Sequence, residues 1–306
     1  MIRDHLVDFL TWSIIVLTAG RRGSQNAFVT RTPKLLADGL VFAEGPRWRG
    51  DRLWFSDMHG EAVWTVDLSG RLETVAELPG REPSGLGFLP DGTLLVVSML
   101  EPEILRVDGQ DVTVHANLSP LVSDRCNDMV VDSRGNAYVG TFPPVSDPRG
   151  VLVLVEPDGS ARIVAEDVAF PNGCVVAGDG RRLIVAESLG RRFTEFDIAP
   201  DGSLAGRRVF AECAPYGPDG ICIDAEGALW AAMPLAHEFH RIAPGGEILE
   251  RIPMAERLAI ACTLGGAELR TLFLLTSKEL PGESIKGTHD ATIHIVEVDI
   301  PGTGSP

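Results

Sequence analysis

Four residues with side-chain oxygens, Glu44, Asn127, Asn172 and Asp219, each stand seven positions ahead of a turn, which begins at Asp51, Arg134, Asp179 and Glu226. Glycine follows the turn residue at Gly135, Gly180 and Gly227 and is displaced to Gly50 in the first case. Asn172 and Asp219 also lie in two similar phrases, Phe170-Pro171-Asn172-Gly173 and Gly217-Pro218-Asp219-Gly220. Alone, any one of them reads as a turn or loop residue, because Asn or Asp before Gly is a common turn pair. Together they offer two carboxylates and two carboxamides with no Cys or His at the same places. That is the donor set of a hard cation that takes oxygen ligands and retains waters. One divalent cation is therefore expected, calcium first, with magnesium, manganese or zinc as alternatives. Ser84 holds the same offset from Asp91, and Ile260 stands ahead of a looser Gly265-Gly266-Ala267 turn. Ser84 is expected to line a pocket, since no base can be assigned to make it a nucleophile.

The elements that must carry these residues are strands. After each turn comes a hydrophobic run, as in Leu53-Trp54-Phe55, Leu94-Leu95-Val96-Val97 and Leu183-Ile184-Val185-Ala186, which reads as the second arm of a hairpin. A further alternating pair follows in most units, such as Ala62 to Val66 and Leu72 to Val75 around Ser69-Gly70. Units of four short strands at a spacing of roughly 40 to 47 residues are the signature of a β-propeller, in which stacking around an axis buries what no blade can bury alone. Six such units predict an all-β, six-bladed propeller. The last unit ends one strand short after Thr292 to Val298, and Pro33 to Ala37 is expected to supply that strand and close the ring. The marked residues enter the innermost strands, so they are expected to ring one end of the central axis.

The boundaries follow. Residues 29–306 are expected to form one propeller domain and residues 1–28 an extension outside it. The apolar stretch from Phe9 to Gly20 lies between Asp4/Asp8 and Arg21-Arg22 and is too short to span a bilayer. Its acidic n-region makes a weak signal peptide, so a cytoplasmic protein is expected, with export as the alternative. A net charge of −16 excludes nucleic acid or an anionic membrane as the main partner, because either needs a basic face, and it suits a cation. The five cysteines lack any C-x-x-C spacing, which points to buried free thiols rather than a disulfide framework. No G-x-S-x-G, H-E-x-x-H or P-loop motif is present. His237 and His240 read as surface or structural residues, His289 has no assigned side, and His59 is expected to lie away from the mouth.

The phrases Ala43-Glu44-Gly45-Pro46, Arg125-Cys126-Asn127-Asp128, Pro171-Asn172-Gly173, Pro218-Asp219-Gly220-Ile221-Cys222-Ile223-Asp224 and Ala261-Cys262-Thr263-Leu264-Gly265-Gly266 occur in this order. In them the chain resembles the senescence marker protein (regucalcin) and gluconolactonase family from about Leu36 to Val298. The resemblance implies a six-bladed propeller with Glu44, Asn172 and Asp219 as metal ligands, Asn127 beside the ion or the substrate, and Arg125 facing the substrate. It implies a metal-dependent hydrolase of lactones or related esters, a small-molecule enzyme working as a monomer or weak homodimer. Asp219 is the first choice for general base as well as ligand, and Glu44 for a plain ligand. Pro143 to Gly150 holds no Glu to match one that some members direct at a sugar. The alternatives are a phosphotriesterase resembling diisopropyl-fluorophosphatase, and a non-catalytic calcium-binding protein.

Overall fold

The structure is a computed structural model and describes residues 31–109, 111–123, 125–177 and 180–304. The expected extension, residues 1–28, and Asp179 lie outside the described residues. Six four-stranded antiparallel sheets follow one another along the chain. Their innermost strands are Ala43–Arg49, Pro83–Phe88, Arg125–Val131, Pro171–Val176, Ile221–Ile223 and Leu258–Gly265, which define blades one to six. The expected closure is present: Lys34–Leu40 is the outer strand of the sixth sheet and pairs with Ala291–Glu297, with Lys34 opposite Ile295 and Ala37 opposite Ile293. Among the described residues no helix is long and apolar enough to cross a membrane.

Burial explains why the inner strands read as continuous hydrophobic runs. Both faces of each blade pack on a neighbour, and every residue of Pro83–Phe88 is buried. Aromatic rings join the faces: Trp54 of blade one meets Phe88 of blade two edge-on at 5.3 Å between centroids. Trp48 of blade one stacks on Phe273 of blade six at the same separation, joining the first blade to the last. The turn glycines do what the sequence asks of them, with Gly92 at φ 94° and Gly135 at φ 92°, conformations that disfavour a side chain.

One local irregularity recurs and decides where the marked side chains go. The pairing of inner strand with second strand slips between Glu44 and Arg47, Pro83 and Leu86, Cys126 and Met129, Pro171 and Cys174, and Ala259 and Ala261. Such bulges take residues out of strict alternation and re-aim them. In blade five Asp219 and Gly220 precede the regular inner strand and are tied to the second strand, Leu229–Met233, by Asp219 N to Ala232 O (2.9 Å) and Ala232 N to Gly220 O (3.0 Å). At the same level the strands nearly touch. A Cβ on Gly85 would stand 2.4 Å from Met129 N, and one on Gly220 2.6 Å from Ala261 Cα.

The path also corrects one expectation. The inner strand runs away from this end of the ring and its antiparallel partner returns, so that Glu44 stands opposite Ser56. His59, in the turn after that returning strand, is therefore at the mouth and not away from it, because the second strand runs towards the mouth.

Candidate active site

The four oxygen-bearing residues come from blades one, three, four and five at the same level of the ring. Asn127 is buried and donates through Nδ2 to Pro171 O of the next blade at 3.0 Å. Asn172 donates through Nδ2 to Ser188 Oγ at 3.2 Å, and that hydroxyl donates to Pro218 O at 2.8 Å. Both carboxamides thus commit their nitrogens to the protein, and what they have left for a ligand is oxygen. Asp219 keeps a buried Oδ1 with no hydrogen-bond partner. Glu44 accepts through Oε2 from its neighbour Gly45 N, at 3.2 Å.

A third carboxylate stands behind them. Asp128 adjoins Asn127 in the sequence, where its spacing marks it for no role. It is buried, accepts from Met129 N at 2.8 Å, and lies 3.6 Å from Nη2 of the buried Arg47. Burial, followed by the charges of Asp219 and Asp128, holds the Glu44 carboxyl well above its usual range. Burial and then the Asp128 charge push Asp219 up to about 8, against a smaller opposing effect of its hydrogen bond with Asn172. Asp128 is raised by burial, which Arg47 and the amides of Met129 and Cys174 partly offset. Carboxylates that would rather be protonated, one with an orphaned oxygen, describe a site short of positive charge. An oxygen-coordinated divalent cation fits that deficit and this donor set. Among the described residues no three His, Cys, Asp or Glu side chains form a ligand group by themselves, so the amides are needed.

Arg125 opens the third inner strand two residues before Asn127. It forms an ion pair with Glu82 of blade two, with Nη1 3.5 Å from Oε2. Glu82 is buried and also faces Lys286 Nζ at 3.0 Å and His59 Nδ1 at 3.5 Å. Burial would raise its carboxyl, but His59 and then Lys286 outweigh that and hold it at about 2. Glu82, His59 and Lys286 were not foreseen. The only hint was Glu82 two residues before Ser84, as Arg125 is two before Asn127. Ser84 itself is buried in the ring, its carbonyl taking the Ser56 hydroxyl. His237 and His240 are structural as expected, bonded to Arg257 O at 3.1 Å and to Glu238 Oε2 at 2.7 Å. His289 Nδ1 meets Gly39 O at 2.9 Å, next to the closing seam. All five cysteines are free.

A six-bladed propeller with an oxygen-rich ring at one mouth fixes an architecture rather than one activity. The chain belongs to the SMP-30/gluconolactonase/LRE-like family, whose model matches residues 42–278. It is 25% identical over 277 residues to a 6-deoxy-6-sulfogluconolactonase of Pseudomonas putida, covering 87% of this chain and 94% of that one. It is 29% identical over 278 residues to a pentonolactonase of Haloferax volcanii, covering 86% and 92%. Among solved structures, a luciferin-regenerating enzyme superposes with a TM-score of 0.76 at 21% identity, over 89% of this chain and 97% of that one. A calcium-binding regucalcin from Agrobacterium tumefaciens gives 0.74 at 22% identity, over 91% and 97%. These two structures speak for the fold alone.

Proposed function

We propose that the protein is a divalent-cation-dependent lactonase, with calcium the preferred ion. The observation that carries this reading is the buried, unpartnered Oδ1 of Asp219, set among carboxylates pushed towards protonation and amides with only oxygen to offer. The lactonase names of two relatives matched along nearly their whole length support the reaction class. Glu44, Asn172 and Asp219 would hold the ion, with Asn127 beside it.

The bound ion would supply positive charge where an ester carbonyl becomes an oxyanion. The chain's own residues do the rest. Asp219 takes the proton of the attacking water on one carboxylate oxygen; a base raised towards neutral pH suits that task. Asp128 and Arg47 lie behind it and fix the local charge. Arg125, at the rim, steadies the alkoxide that leaves as the ring opens. Asn127, with its nitrogen tied to Pro171 O, keeps its oxygen oriented. The test is hydrolysis of aliphatic, aromatic and sugar lactones in chelator, then with calcium, magnesium, manganese or zinc restored. Turnover that stops in chelator and returns with one ion is expected. Turnover of paraoxon-type esters alone, or of nothing while calcium still binds, would replace this reading with one of its alternatives.

A further inference from the structure

Behind the oxygen ring lies a second tier of charge. Arg47 follows Glu44 by three residues on the inner strand of blade one and is buried. Its Nη1 donates to Pro46 O at 2.8 Å, and its Nη2 reaches past blade two to donate to Met129 O of blade three. Blade two puts no side chain in the way. Its inner strand presents Gly85, where a Cβ would stand 2.4 Å from Met129 N and 2.7 Å from Asp128 Oδ1.

Bonds to carbonyls leave the guanidinium charge intact, and the carboxylate beside it is Asp128, with Oδ1 3.6 Å from Nη2. That separation makes an ion pair and not a hydrogen bond. Nε of Arg47 is buried with no hydrogen-bond partner. A buried pair in this condition adds little to stability, because desolvation offsets the attraction, so its place behind the ring calls for another reason. Its field reaches the ring: burial above all raises the Glu44 carboxyl, and Arg47 is among the groups that oppose the rise. The count of formal charge is short. Glu44, Asp128 and Asp219 bring three negative charges, Asn127 and Asn172 none, and Arg47 cancels one, which leaves two for an ion to match.

We propose that Arg47, acting through Asp128, is a specificity-determining residue that sets the charge of the ion the ring accepts, so that one divalent cation is favoured over a trivalent ion or a second cation. The inference rests on the cation half of the proposed function and not on the reaction catalysed. A merely structural Arg47, tying blade one to blade three through Met129 O, would on removal weaken every ion alike. The test is calorimetric titration of the full chain with calcium and with terbium, at a pH of about 6.5 where terbium stays in solution. The proteins compared are the parent, Arg47→Met, Arg47→Lys, Asp128→Asn and the double variant Arg47→Met/Asp128→Asn. One unit of charge at this range should move the terbium-to-calcium affinity ratio by about tenfold. Arg47→Met should raise the ratio, Asp128→Asn should lower it, and Arg47→Lys should keep the parent value. The double variant carries the parent's net charge again and should return to the parent ratio, which a loss of packing cannot do. Should Arg47→Met fail to fold, as circular dichroism would show, the nearly isosteric Asp128→Asn decides alone. A ratio unmoved in the single variants, or equal losses for both ions, would reduce the pair to a structural strut and overturn the proposal. A parent that binds neither ion would sink the cation reading and this inference with it. The expected shifts in a protein that hydrolyses no lactone would uphold the role of Arg47 and sink the lactonase.

Discussion

Replacing Asp219 by Asn should make the cation-free protein more stable while removing its response to cations. The Asp219 carboxyl titrates near 8 in the fold against an ordinary 3.8, because it is buried near the Asp128 charge. At pH 7.5 the folded chain therefore holds a proton that the unfolded chain has released. At about 1.4 kcal/mol per unit this costs at most about 5 kcal/mol. Asp219 keeps some exposed surface, and water reaching it reduces the cost, so we expect Asp219→Asn to gain about 2 kcal/mol, or about 4 °C in Tm for a chain of this size. A raised carboxyl contributes its full stability below pH 4 and loses it as pH climbs towards 8. The gain should accordingly vanish at about pH 4. Thermal melts in chelator at pH 4, 6 and 7.5, then at pH 7.5 with calcium, check all of this. Calcium at a hundred times its Kd stabilises the parent by about 2.7 kcal/mol, and the variant should gain little. A variant less stable than its parent in chelator at pH 7.5, or stabilised equally by calcium, would refute the charge-deficient ring.

Glu44→Gln removes the other carboxylate of the ring and should weaken calcium binding at least tenfold in calorimetry while the fold, followed by circular dichroism, remains. Cation affinity of the parent should rise with pH up to about 8, by as much as tenfold per unit, because Asp219 must release its proton on binding; calorimetry in buffers of different ionisation heat would register that proton. Gly220→Ala should destabilise by about 1–3 kcal/mol, since its methyl would stand 2.6 Å from both Cα and Cβ of Ala261, where two inner strands have no room to part; urea unfolding gives the number.

The repeat was legible because it is enforced many times over. Each blade buries an inner hairpin on two faces, so the Asp-Gly or Glu-Gly turn and the run after it recur, and the missing sixth-blade strand could be matched to Lys34–Leu40. The positions of Glu44, Asn127, Asn172 and Asp219 were legible for the same reason, as a fixed offset from those turns. The bulges that aim them into the axis were not, because a register slip depends on how closely neighbouring inner strands approach, as at Gly85 and Met129. Asp128 was missed since its role as a buried charge arises from Arg47, which lies two blades away. Lys286 and Glu82 are separated by most of the sequence, and only the span of the blade-six loop brings them together. Loop reach has no period, so pattern reading could not supply it.

The seam between the chain ends has a consequence for how the molecule is made. Of the ring's described strands Lys34–Leu40 is synthesised first, yet its partner Ala291–Glu297 is synthesised last. Blades one to five can assemble in turn while this opening strand waits, its backbone groups unpaired and available to any other exposed sheet edge. Glu44 lies four residues beyond that strand, so the mouth is incomplete until the ends join. A nascent chain released early would carry an open ring with most of its oxygen-bearing side chains in place and nothing to hold them together, which makes quality control of this protein a question of whether the closing strand arrives.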